Sequence, residues 1–428
     1  MKRLAFAPFS IALSCLSLAI AASSPAQAQS PLAGTKISVA SMNDPFAGAL
    51  VKLAPAFKQK TGIDVKIDIL SYPELLTRLT ADFVGKTRNY DVVTMDIVWA
   101  GQFAENGYTV DLGEWIKRDA AQLDLPDIYP AVLTGLGNYK GKQIAFPLAA
   151  YSNVLVYRKD VFDAAGVKPP ETMTELIAAA QKVTDPAKNI YGWMANGRKG
   201  AASAQDWMQY NAQIGGSILA SDGKPALNSA ANVKSLAVYR DLFKKAAPPG
   251  ANNYDWAARH EAYRQGLVAS HQTWSISLPS YEDPETSKVV GKTAVTLAPT
   301  EAGMAKLYGL GGWGLAINAA VDAKKQAAGW EFIKWAGSAE TQKTLLRSGV
   351  GVFTRKSAVT DPQLQVRYPF LKVVDTSLIH ADADFRPRIP QYPQIQDALG
   401  TAVNSVLVAG TDPKAALDEA QARVLKAW

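Results

Sequence analysis

Between Lys36 and Asn106 the chain alternates strand-like and helix-like segments with little sequence between them, and this rhythm restricts the fold more than any other feature. Lys36 to Ala40 reads as a strand. Pro45 opens a helix with Phe46, Ala49, Leu50, Leu53 and Phe57 at helical spacing, and Gly62 closes it in the usual C-terminal place. Ile63, Val65, Ile67 and Ile69 then alternate with polar residues, as a half-buried strand does. Pro73 starts a second helix carrying Leu75, Leu76, Leu79 and Phe83. Asp91-Val92-Val93-Thr94-Met95 is a short buried strand, followed by a helix near Ile97 to Asn106. This succession implies a parallel sheet covered by helices, so the fold class is α/β.

The first residues have the character of an export address. Lys2 and Arg3 precede an apolar run from Ile11 to Ala22, and Pro25 and Ala26-Gln27-Ala28 form a cleavage site, so residues 1–28 are expected to leave as a signal peptide. Cys15, the only cysteine, would leave with them, so the mature chain has neither a disulfide nor a thiolate metal site. Its stability must come from its core, for which about 400 residues, enough for two or more domains, are ample. The net charge of +7 falls to +5 without Lys2 and Arg3, and the basic residues are scattered among acidic ones, which argues against a nucleic-acid partner.

Further on, Gly141 to Pro147 reads as extended, and Asn153 to Tyr157 as an apolar strand leading into a helix at Arg158-Lys159-Asp160-Val161-Phe162. Thr172 or Thr174 caps the next helix. Ala204 to Leu267 reads as largely helical, interrupted at Pro248-Pro249-Gly250. Thr293 to Leu297 is strand-like, and Gly309 to Gly314 reads as a turn before a strand at Leu315 to Asn318. The helix after Asp322 carries Ala328, Phe332 and Trp335 on one face, and the tail from Asp397 reads as two helices around Gly410 to Pro413.

Few motifs point to catalysis. Gly309-Leu310-Gly311-Gly312-Trp313-Gly314 fits G-x-G-x-x-G, but it precedes a strand instead of opening a helix, so no nucleotide cofactor is expected; the segment reads as a place where backbone approaches something closely, with Trp313 presented to a cleft. His260, His271 and His380 are far apart in sequence and lack metal-ligand spacing. Ser203 and Ser280 have no nucleophile-elbow context, and Asp382 with Asp384 is an ordinary acidic pair. Neither a metal nor a cofactor is expected.

The tryptophans are more informative. Of ten, Trp99, Trp207, Trp256, Trp274 and Trp313 stand beside glycine or polar residues, whereas Trp115, Trp330 and Trp335 sit at helical spacing and read as core. A flat indole matches the C–H face of a sugar, while carboxylates, amides and guanidinium groups match its hydroxyls.

At full length the sequence resembles the family 1 extracellular solute-binding proteins of carbohydrate ABC transporters, the group with maltose- and trehalose-type binding proteins. The residues that carry the resemblance are Phe57 with Gly62-Ile63 and Val65, Tyr90-Asp91-Val92-Val93 with Asp96 and Trp99, and Pro147 with Val156 to Phe162. They continue through Gly166, Pro169-Pro170 and Thr172, then Tyr254-Asp255-Trp256, Gly266 with Trp274, and Gly311 to Gly314. Phe332 to Trp335 and Arg386-Pro387 with Tyr392 complete the set. The resemblance implies two α/β lobes of the type II kind, joined by hinge strands and closing over a solute. The chain would cross between lobes near Pro147, Val295 and Ser338. That gives an N-terminal lobe of 31–147 plus 295–337 and a C-terminal lobe of 148–294 plus 338–428.

Carried over position by position, it implies hydroxyl-binding groups at Asn43, Asp44 and Asp96, with Trp99 close by. Tyr151 stands where many members have Asp, a departure from their long-sugar contacts, and Asn153 is near enough to substitute. Trp274 and Trp313 would be stacking platforms and Arg386 a guanidinium for hydroxyls or an acid; Trp207, Tyr254, Trp256 and Gly312 complete the candidate site. The expected function is a monomeric periplasmic component of an ABC importer that delivers a sugar or polyol to permease subunits. Arg386 and Arg355 leave open an anionic solute, such as a sugar acid, sulfonated sugar or opine. A periplasmic glycosidase is the alternative from another class.

Overall fold

The computed structural model describes residues 31–428, so the expected signal peptide, its cleavage site at Ala28 and Cys15 lie outside the described residues. The alternating first segment forms β1 (Lys36–Met42), α1 (Pro45–Thr61), β2 (Asp64–Leu70), α2 (Tyr72–Gly85) and β3 (Val92–Asp96). β1 lies between β2 and β3, parallel to both. Each boundary has a local cause. Pro45 starts α1 with its ring-fixed φ, and Gly62 ends it at φ 75, donating its N–H to the Lys58 carbonyl at 2.7 Å.

The remainder of the principal sheet is antiparallel. β4 (Phe146–Arg158) is one 13-residue strand, buried almost throughout, that takes in the last two residues of the expected extended segment and all of the expected strand, with a register shift between Pro147 and Ala149. Further strands are β5 (Ser270–Trp274), β6 (Thr293–Leu297), β7 (Tyr308–Ile317) and the short β8 (Ala381–Asp382). The strand order is β2-β1-β3-β7-β4-β5, with β6 beside β4 and β8 beside β7. The first half of β4, Phe146 to Ser152, pairs with β7, and its second half, from Asn153, pairs with β5 and β6. The change of partner falls at Ser152–Asn153. Val295 faces Val156 in that second half, and β7 pairs with β8 at Tyr308 and with β3 at its far end.

The turn expected at Gly309 to Gly314 is part of β7. Here the glycines serve close approach, not a reversal of the chain. A Cβ on Gly311 would lie 2.7 Å from the Tyr151 ring and 2.9 Å from that of Trp274, and one on Gly312 would lie 2.3 Å from the Ala149 carbonyl oxygen. Turn propensity and tight crossing use the same residue type, which is why the sequence reading took one for the other.

Helices cover both faces. α3 (Ala201–Gln213) is followed by a loop at 214–229 containing Gly215 and Gly216, a second break that the helical reading of 204–267 did not include. α4 (Trp256–Arg264) follows the expected Pro248–Gly250 break. Thr172, not Thr174, caps its helix, in a reciprocal capping box with Glu175. α5 (Ala323–Ala336) buries Ala328 and Phe332, and α6 (Tyr392–Asn404) and α7 (Pro413–Leu425) are the paired tail helices, α6 beginning five residues before the expected Asp397.

Substituting Gly312→Ala should cost about 2–3 kcal/mol, because its φ of 153 and the Ala149 carbonyl leave no room for a methyl group. A thermal or urea unfolding curve matching that of the parent would show that the crossing tolerates a side chain.

Candidate functional site

β1 and β3 run in the same direction, and their carboxyl ends open onto a cleft of about 1160 Å³, the place where open α/β sheets bind ligands. Asn43 and Asp44 follow β1, Tyr72 opens α2, and Asp96 ends β3. Tyr151 and Trp313 project from the crossing strands β4 and β7. The opposite wall has Gln205 from α3, Trp256 and His260 from α4, Trp274 at the end of β5, and Arg386 after β8.

The polar groups are buried and incompletely paired. Asp96 accepts the Tyr72 hydroxyl at 2.8 Å. Burial raises its carboxyl above the ordinary range, opposed chiefly by the charge of Arg386. Asp44, part-buried in the wall, is pushed up to about 6 by desolvation; the Trp313 indole offsets part of the rise and Asp96 adds to it. Arg386 is 1% exposed, its guanidinium 5.3 Å from the Trp274 ring centre and 5.2 Å from that of Phe385. Its Nε and Nη1, together with Trp256 Nε1, are buried without a hydrogen bond inside the protein. Buried donors of this kind are costly unless something completes them.

Eight of the residues expected at the site line this cleft: Asn43, Asp44, Asp96, Tyr151, Trp256, Trp274, Trp313 and Arg386. Five stand elsewhere. Trp99 is buried behind the wall, 5.3 Å from Tyr72 and 5.6 Å from Trp313 between ring centres. Asn153 is fully buried opposite Trp274 in the β4–β5 register, with both amide atoms unpartnered. Trp207 is enclosed in α3, Tyr254 gives its carbonyl to the N–H groups of Gly197 and Arg198, and Gly312 lies within β7. Arg355 donates to the carbonyls of Leu123, Asp124 and Gly337 and so serves the fold.

Tyr72, Gln205 and His260 line the cleft although the sequence reading passed over them. Tyr72 had a usable signal: it stands at a strand-to-helix junction at the carboxyl end of β2. Gln205 accepts the Trp274 indole N–H at 3.3 Å. The histidines, remote in sequence, are not all remote in space: His260 and His271 have ring centres 5.9 Å apart, and both contact the Tyr281 hydroxyl. Burial holds both imidazoles well below their ordinary range, so they are neutral. Among the described residues no group of three His, Cys, Asp or Glu side chains is placed to hold a metal ion.

The family described as bacterial extracellular solute-binding protein matches residues 41–343. The chain belongs to that family. The crystal structure of an ABC transporter solute binding protein from Agrobacterium radiobacter in complex with ribitol is 57% identical, with a TM-score of 0.90 over 93% of this chain and 100% of that one. A second solute binding protein, from Agrobacterium vitis with bound D-mannitol, is 29% identical, with a TM-score of 0.81 over 92% and 98%. A probable amino-acid ABC transporter periplasmic-binding protein of Sinorhizobium fredii is 25% identical over 99% of this chain and 97% of its own. This solute-binding protein thus has the two-lobed fold of its relatives, and its family works in transport, not catalysis.

The raised carboxyl of Asp44 gives a signed prediction. The folded state holds this proton more tightly than the unfolded chain, whose aspartates titrate near about 3.9. The contribution of Asp44 to stability is therefore greatest below about pH 4, is lost as pH rises to about 6, and is level above that. Urea midpoints from pH 4 to 7 should fall less steeply in Asp44→Asn than in the parent; identical slopes would remove Asp44 as the source.

Proposed function

We propose that this protein captures a small neutral polyol, of the size of a five-carbon alditol, and presents it to the permease of an ABC importer. The observation that carries this reading is the set of unsatisfied buried groups between aromatic plates. Arg386 and Trp256 offer donors, Asp44 and Asp96 offer acceptors, and Trp274 and Tyr151 offer ring faces. An alditol has a hydroxyl on every carbon, each able to donate and accept, and a C–H backbone that suits the indoles.

The charge of the cleft favours a neutral solute over an anionic one. Five carboxylates, of Asp44, Asp96, Asp255, Glu282 and Asp283, line it against three guanidinium groups, of Arg264, Arg367 and Arg386. Arg386, the buried one, already faces Asp96, and Arg355 is committed to backbone carbonyls. Relatives that carry ribitol and D-mannitol agree with this reading.

The two walls already approach within the space of about 1160 Å³, the Tyr72 and Trp256 ring centres being 6.3 Å apart, so a small solute held there is in reach of both. In this reading the division between lobes follows β4 at Ser152–Asn153 and the start of β7. The eight lining residues make contact with the solute, whereas Trp99, Asn153, Trp207 and Gly312 support them and Tyr254 holds the turn before α4. The protein is a monomer in the periplasm, released by cleavage after Ala28.

A thermal-shift and calorimetric screen of ribitol, mannitol, ribonate, opines and free amino acids tests the assignment. A polyol at a hundred times its Kd should stabilise the protein by about 2.7 kcal/mol, and the charged solutes should not. Stabilisation by an amino acid or ribonate, without a polyol response, would contradict it. Trp256, being only partly buried, can be truncated with little harm to the core, so Trp256→Ala should weaken polyol binding by about 1–3 kcal/mol while the protein stays folded.

A further inference from the structure

Trp256 and Trp274, the two indoles on the second wall, stand on different elements, and a buried ion pair ties those elements together. We infer that Asp206 and Arg259 are positioning residues for the site: the pair sets the placement of Trp256 and Trp274, and through it solute affinity, and is not kept for fold stability. The inference rests on the reading of the cleft as a polyol site.

Asp206 lies on α3, next to Gln205, the residue that accepts the Trp274 indole N–H. Arg259 lies on α4, three residues after Trp256 and one before the cleft-lining His260. Arg259 Nη1 donates to Asp206 Oδ2, and the same oxygen accepts the Asn196 backbone N–H at 2.8 Å. Both side chains are 1% exposed. Through this contact the helix that carries one indole is fixed to the helix that holds the other.

As a stabilising device the pair is poor. Asp206 Oδ1, Arg259 Nε and Arg259 Nη2 have no partner inside the protein, and the Asn196 side-chain amide beside them has none either. Desolvating two charges and leaving three of their polar atoms unsatisfied gives back little, and apolar residues of similar volume commonly hold such a position as well or better. What apolar residues do not supply is direction. The one bond, from Nη1 to Asp206 Oδ2, lies in the plane of a rigid guanidinium and runs along a fixed vector, so it restrains the rotation of α4 about its axis. The N-terminus of α4 has its own restraints, with Asp255 accepting the Ala258 N–H at 3.2 Å and pairing with Arg198 at 2.8 Å. Those fix where the helix begins; Arg259, a turn further on, fixes which way Trp256 turns. His260 and His271 also feel the Arg259 charge, which adds to burial in keeping them neutral beside the cleft.

The test pairs an apolar double variant, Asp206→Leu with Arg259→Met, with the single variant Arg259→Lys, which keeps the charge but loses the planar, directional guanidinium. Thermal unfolding, ribitol titration and ¹⁹F spectra of 5-fluorotryptophan-labelled protein are compared, with the Trp256 and Trp274 signals assigned by Trp→Phe substitution. The expected double variant keeps its melting temperature, shows shifted or broadened Trp256 and Trp274 signals without solute, and binds ribitol at least about tenfold more weakly. Arg259→Lys falls between. Unchanged indole signals and affinity in a folded double variant would overturn the inference, as would a double variant that loses the fold. If the unaltered protein binds no polyol, the polyol assignment fails, while the solute-free spectra still decide the positioning role.

Discussion

The close antiparallel contact of β4 and β7 is the constraint on which the rest of the molecule depends. β4 pairs with β7 over its first half and with β5 and β6 over its second, so the β4–β7 pair joins the two sheet regions and carries Tyr151 and Trp313 of the cleft lining. The contact exists because Gly311 and Gly312 have no side chains where Tyr151, Trp274 and the Ala149 carbonyl come near. It aims Tyr151 and Trp313 into the space between the walls. Stiffness along the strands and freedom about them are what a two-lobed receptor requires: each half keeps its own packing while the angle between them changes.

The second element is a deliberate shortfall of hydrogen bonds. A protein interior normally pairs nearly every buried polar atom. Among the exceptions are Arg386 and Trp256 in the walls of the cleft and Asn153 just behind. Asp44 and Asp96 are raised by burial and held in a site rich in aromatic rings. Such groups cost stability, and in the proposed reading that cost is regained when a solute's hydroxyls complete them. Selectivity follows, since a solute lacking a hydroxyl at one of these points leaves a buried group unsatisfied.

Much of this was legible in the sequence, for reasons that can be stated. The alternation from Lys36 to Met95 is a strong periodic signal with clear helix boundaries at Pro45 and Gly62, and it led directly to the parallel β1–β3 unit. Tryptophans beside glycine or polar residues pointed to the cleft for Trp256, Trp274 and Trp313, but the same rule misplaced Trp207, because α3 is buried on nearly every side and its polar neighbours face inward. The β7 glycines read as a turn in the sequence because glycine marks both chain reversal and tight packing. Tyr72 and Gln205 escaped notice because their roles are set by a partner distant in sequence, Asp96 for one and Trp274 for the other. Arg355 looked like a ligand for anions, and only coordinates reveal that three carbonyl groups consume its donors.

Closure over the solute is the central claim, and distance measurement across the cleft tests it most directly. Residues 31–428 contain no cysteine, so in a chain of those residues Thr77→Cys, one turn beyond the cleft-lining Pro73, and Glu285→Cys, beside the cleft-lining Pro284, would carry two probes without competing thiols. Their spin-label or fluorescence separation should shorten when ribitol saturates the protein and stay at the solute-free value in an Asp96→Ala variant given the same ribitol. A separation that does not change while calorimetry shows ribitol bound would contradict closure of the lobes.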